Sequence, residues 1–158
     1  MEVINEVVPS DTAQMEAMME KGPDEPIFML NLLKFKERAE YEDGRETDFT
    51  GREAYMIYGE EVTKILPRFG GVAIFGADVT HLALGKVEEL WDEIAFVAYK
   101  DRAALLKMSM SDEWQAISVH RTAGLQGELN IESTLMMQGG LNQTFMTDIA
   151  DDLAGKMK

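Results

Sequence analysis

The run PIFMLNLLKFK, from Pro26 to Lys36, constrains the fold more than any other stretch of this chain. Gly22, Pro23 and Pro26 lead into it and a charged segment follows, so it reads as a strand with punctuated ends. Side chains alternate along a strand, which puts Ile27, Met29, Asn31, Leu33 and Phe35 on one face and Phe28, Leu30, Leu32 and Lys34 on the other. Both faces are apolar, so both need a cover, and a sheet solvated on one side does not provide that. The Asn31 amide interrupts the first face.

A chain of 158 residues has room for one domain with a sizeable core and terminal decorations. We divide it into an arm and helix over 1–25, a domain over 26–135 and a tail over 136–158. The net charge of -14, from 29 acidic and 15 basic residues, repels phosphate, which argues against nucleic acid and anionic membranes as partners. The absence of cysteine removes disulfides, thiolate nucleophiles and Cys-ligated metals. The first residues lack the basic flank and apolar run of a signal peptide, and no stretch approaches a membrane span, so a cytoplasmic location is expected.

Along the chain, Val3 to Val8 alternates weakly, as an edge strand or arm. Ser10 or Asp11 can cap a helix over Thr12 to Lys21, where Met15, Met18 and Met19 offer adaptable packing. Glu37 to Asp48, around the turn pair Asp43-Gly44, reads as a surface loop. Thr50 and Glu53 form a capping box for a helix that repeats apolar residues from Ala54 to Phe69 and stops at Gly70-Gly71. Val72 to Leu84 is β-rich with a bend or bulge near Gly76 and Asp78, and Trp91 to Tyr99 pairs with it as an antiparallel hairpin. Asp101 caps a short helix to Met108, a second helix runs from Ser109 to about Thr122 and ends at Gly124, and Glu128 to Thr134 is a last strand. Phe145 to Leu153 is a weak amphipathic helix. This order predicts an α+β, ferredoxin-like four-stranded antiparallel sheet with helices on one face, βαββαβ. The uncovered apolar face calls for a second copy, so a homodimer with two facing sheets, a dimeric alpha-beta barrel, is expected.

Several short motifs occur in that order: Met29 to Phe35, YMIYG over Tyr55 to Gly59, Gly70-Gly71, Trp91-Asp92-Glu93, and His120 to Leu125 as HRTAGL. Together they resemble the family known as domain of unknown function 1330, over about Pro26 to Ser133. The resemblance implies the dimeric ferredoxin-like barrel. It implies no settled activity, because relatives in the wider superfamily include cofactor-independent monooxygenases, isomerases, haem-binding members and stress-induced proteins.

Candidate site residues each have a chemical and a structural reading. Asn31 can orient a substrate carbonyl or stabilise an oxyanion on the barrel side of the sheet, or simply bond neighbouring backbone. Tyr55 and Tyr58 can aim hydroxyls at a pocket mouth or pack their rings on the sheet, and Gly59 can admit a close neighbour. His120 can be a general base and Arg121 can hold a substrate carboxylate, or both can cap the helix end. Lys34 and Trp91 are further candidates for binding substrate. His81 and His120 have no metal-ligand spacing, and no phosphate loop or nucleophile elbow appears, so neither metal nor cofactor is expected. The leading expectation is a small-molecule pocket for an aromatic or carbonyl-bearing metabolite between sheet and helices. In its enzymatic form His120 abstracts a proton beside a carbonyl and Asn31 and Tyr58 stabilise the enolate, as an isomerase or cofactor-free oxygenase would require. The alternatives are a non-catalytic ligand-binding or stress-related dimer and a haem-binding member.

Overall fold

The computed structural model describes Glu6, residues 11–135 and Asp148. Among these residues nine elements follow in order: α1 (Thr12–Met19), β1 (Ile27–Phe35), α2 (Gly51–Ile65) with a short 3-10 turn (Leu66–Phe69), β2 (Gly71–Asp78), β3 (Glu93–Tyr99), α3 (Arg102–Ser109), α4 (Asp112–Gly124) and β4 (Leu125–Ser133). The expected arm over 3–8, apart from Glu6, and the tail helix over 145–153, apart from Asp148, lie outside the described residues.

The strands form one antiparallel sheet in the order β2-β3-β1-β4, which is the ferredoxin-like arrangement. The strand apolar on both faces, β1, lies inside the sheet, where Leu30 pairs with Phe96 of β3 on one side and Ile131 of β4 on the other. A bulge between Ala73 and Phe75 supplies the bend expected in β2. That strand ends at Asp78, short of the expected Leu84, and residues 79–92 form a loop tied at its base by Val79 N–H donating to the Asp92 carbonyl at 3.0 Å. The third strand also starts later than expected, at Glu93, while the last starts earlier, at Leu125.

The capping box closes as its sequence suggests: Glu53 N–H donates to the Thr50 hydroxyl at 3.2 Å and Thr50 N–H donates to the Glu53 carboxylate at 2.7 Å. Beyond α2, Pro67 sets the 3-10 turn, and Gly70 ends it at φ 71°, a left-handed conformation favourable to glycine. Two other glycines bring the helices together. A Cβ on Gly51 would lie 2.4 Å from the Gly124 carbonyl oxygen, and one on Gly124 would lie 2.3 Å from that of Gly51. Gly59, expected to admit a close neighbour, has nothing within 4 Å of a built Cβ.

Helices cover the face of Ile27 and Met29, which pack with Tyr99, Ile65, Leu66, Met108 and Trp114. The opposite face is built on Phe28 and Ala98, with Val72, Ile74 and Phe96 around them. No helix of the described residues covers it, and Phe75, Leu129 and Ile131 remain 49%, 37% and 45% exposed. The first helix contributes little to either layer: α1 buries none of its residues, and Met15 and Met19 are exposed rather than packed.

Candidate functional site

Asn31 shares its face with Ile27 and Met29, so it looks into the layer between sheet and helices rather than toward the helix-free, barrel side. Its amide donates to the carbonyls of Met29 and Ala95, each at 3.2 Å, which satisfies the buried group with backbone as the structural reading had it.

Into the same layer, α2 sends an aromatic ladder. The Phe35 and Tyr55 rings lie 5.4 Å apart, Tyr55 and Tyr58 likewise 5.4 Å, and Tyr58 meets Trp114 edge-on at 6.5 Å. Trp114 Nε1 donates to the Tyr58 hydroxyl at 3.2 Å, leaving that hydroxyl's own proton available for another acceptor. Burial pushes the Tyr55 and Tyr99 hydroxyls well up and raises that of Tyr58, so all three stay neutral. The nearby charge of Arg121 offsets part of that rise for Tyr55 and Tyr58.

Sequence reasoning missed the partner of Arg121. Its Nη2 donates to the Glu128 carboxylate and, at 3.1 Å, to the Glu6 carbonyl. The Arg121 and Glu128 side chains are only 8% and 5% exposed. Arg121 Nη1 is buried and has no hydrogen-bond partner among the described residues. Burial raises the Glu128 carboxyl, and the Arg121 charge opposes that rise only in part. On β4, Glu128, Asn130 and Glu132 lie opposite Leu33, Asn31 and Met29, so the polar face of this strand turns toward the helices. Arg102 takes Glu132 there, at 2.6 Å and 2.7 Å. The alternation of polar and apolar residues was a readable signal, but its ordinary meaning, polar to solvent, is reversed.

His120, one position before Arg121 on α4, belongs to a different neighbourhood. Its Nδ1 shares a 2.7 Å hydrogen bond with the Tyr41 hydroxyl, and the rings meet edge-on. Arg45 lies over the Tyr41 ring at 4.5 Å, and burial, helped by that positive charge, lowers the His120 pKa. The surface loop expected over 37–48 thus carries an open hollow of about 520 Å³, lined by residues including Arg38, Tyr41, Arg45 and Thr47. The contacts of His120 and Asn31 lie with different elements, so the structure does not assemble them around one atom.

Lys34 and Trp91 have structural partners. The Lys34 ammonium donates to the Leu90 carbonyl at 3.0 Å and pairs with Glu89 and Asp92 at 3.1 Å, while Asp92 also accepts from Phe35 N–H at 2.8 Å. Trp91 is buried in the loop just before β3, not at the strand's start as expected. His81 is exposed in the 79–92 loop, 3.4 Å from the Thr80 hydroxyl. Among the described residues no helix is long and apolar enough to cross a membrane.

The fold places the chain among ferredoxin-like α+β proteins. No family model and no curated protein matches it. Among solved structures, methylated RPA0582 is 28% identical, covering 85% of this chain and 98% of its own, with a TM-score of 0.74. The structure described as the RPA0582 protein of unknown function from Rhodopseudomonas palustris is 25% identical, covering 84% and 98%, at 0.72. A dimeric ferredoxin-like protein of unknown function from Jannaschia sp. CCS1 is 13% identical, covering 70% and 99%, at 0.46. These descriptions name no activity.

Proposed function

We propose that the protein is a homodimer, joined through the helix-free face of its sheet, and that each subunit binds a small aromatic metabolite between sheet and helices with Arg121 taking its carboxylate. The observation that carries the binding half is the free Nη1 of Arg121. A guanidinium is a fork built for paired oxygens, and an unmet charged donor in a buried layer is costly. Tyr55, Tyr58 and Trp114 supply the apolar and hydroxyl-bearing walls that a small aromatic acid requires.

The dimer half is supported by β4. That strand turns Leu129 and Ile131 to the helix-free face and its acidic side chains inward, the opposite of what an isolated subunit would favour. The motif resemblance to domain of unknown function 1330 supports the same assembly.

Binding is better supported than proton abstraction by His120, because His120 Nδ1 is held by Tyr41 and the Asn31 amide is spent on backbone. Titration calorimetry with benzoate and its neutral analogue benzamide tests this reading. Benzoate is expected to bind at least about tenfold more tightly, the worth of one charge-assisted hydrogen bond, and the paired substitution Arg121→Met with Glu128→Leu is expected to abolish the preference. Equal binding of the two probes, or binding of neither, would overturn it.

A further inference from the structure

We propose that Glu128 is the proton-accepting member of this site: a small organic acid anion binds the free edge of Arg121 together with one proton from solvent, which goes onto a Glu128 carboxylate oxygen. This rests on the reading of Arg121 as the anchor. Charge counting leads to it. Arg121 and Glu128 form a neutral buried pair, with side chains 8% and 5% exposed. An incoming carboxylate at Nη1 would leave one guanidinium between two anions, a net negative charge in a layer with little water to solvate it.

Few groups in that layer can relieve the excess. The hydroxyls of Tyr55 and Tyr58 from α2 and of Tyr99 from β3 are neutral and held so by burial. Glu93 of β3, which also acts on Tyr55, already has Arg52 at 3.1 Å. Trp114 and Asn31 carry no charge. Glu132 of β4 is likewise taken, by Arg102 at 2.6 Å, so the carboxylate in contact with Arg121 is that of Glu128, and burial already favours its protonated form. Once protonated, it still accepts from Arg121 Nη2 through one oxygen, while its new O–H is a donor for the ligand. The site therefore takes weak organic acids as acid plus proton, with affinity that falls as pH rises.

Calorimetric titration of benzoate at pH 7, in phosphate and again in Tris, counts the protons exchanged. For the wild type about one proton taken up per benzoate is expected, and between pH 6 and 8 a loss of affinity approaching about tenfold per unit. Glu128→Gln is expected to bind benzoate with no proton uptake and with affinity flat across that range. Infrared difference spectra provide a readout on the unaltered protein: a protonated carboxyl band should appear when benzoate is added. Arg121-dependent binding without proton uptake would overturn the role of Glu128 while leaving Arg121 as anchor. A wild type that ignores benzoate would remove both.

Discussion

Arg121, in the last turn of α4, closes onto Glu128 of β4, and the two side chains bury each other while one guanidinium nitrogen is left unmatched among the described residues. Such a pair is weak evidence for stability but a strong constraint on substitution, since removing one partner strands a buried charge. Arg121→Met or Glu128→Leu alone should destabilise the fold by about 3–5 kcal/mol, and the double substitution by much less. Urea denaturation of the four proteins measures this, and additive losses would contradict it. The pH dependence has a definite sign. Because burial raises the Glu128 carboxyl in the folded chain, the native state keeps a proton that the unfolded state loses above about 4.5. The contribution of Glu128 is therefore fully present below that pH and is lost as pH rises through the folded value, a slope that Glu128→Gln should remove.

Gly51 and Gly124 set the distance between α2 and α4. A methyl group at either position meets backbone oxygen rather than a flexible side chain: Gly124 and Lys36 for Gly51, and Gly51 for Gly124. The backbone there is also bonded, with Gly51 N–H donating to the Lys36 carbonyl at 3.1 Å and Lys36 N–H donating to that of Gly124 at 2.9 Å. Alanine at either glycine should cost about 1–3 kcal/mol or more through overpacking, whereas Gly59→Ala should be neutral or stabilising in an open helix position. Thermal melts of the three variants check the contrast.

The Tyr41–His120 contact predicts a second, opposite pH effect. His120 has its pKa lowered by burial and by Arg45, so the folded chain gives up that proton more readily than the unfolded one. The associated stability is present above about 6.5 and is lost as pH falls from there through the folded value. Nuclear magnetic resonance titration should place the His120 midpoint below 6.5, and Arg45→Gln should move it upward. A midpoint above 6.5 would show that the ring is not sheltered.

The helix-free face predicts the assembly. Ile131 lies across from Leu30, whose other neighbour is Phe96, so an aspartate at position 131 puts a charge in the middle of that patch. Ile131→Asp should convert a sedimenting dimer into a monomer without unfolding it. A wild type that sediments as a monomer at micromolar concentration would contradict the proposal.

Much of the fold was legible in local signals whose physics is local. The alternation of Ile27 to Phe35, the Thr50–Glu53 box and the Asp101 cap each fix an element from neighbouring residues alone, and all three appear where the sequence puts them. The site was less legible, because burial of Glu128 depends on a cation from another element and on the direction β4 faces. An amphipathic strand shows that its faces differ without showing which one meets the helices. The aromatic pattern at Tyr55 and Tyr58 was visible, but the separation of His120 from Arg121 follows from helical geometry, which turns successive side chains to different sides.

The passage from α4 to β4 leaves no slack: Gly124 closes the helix and Leu125 already belongs to the strand. Helix phase and strand phase are thus geared together. One extra residue at that corner would roll β4 over, sending Glu128 outward and Leu129 into the interior. Chains built on this plan must hold seven steps between the cation and its carboxylate.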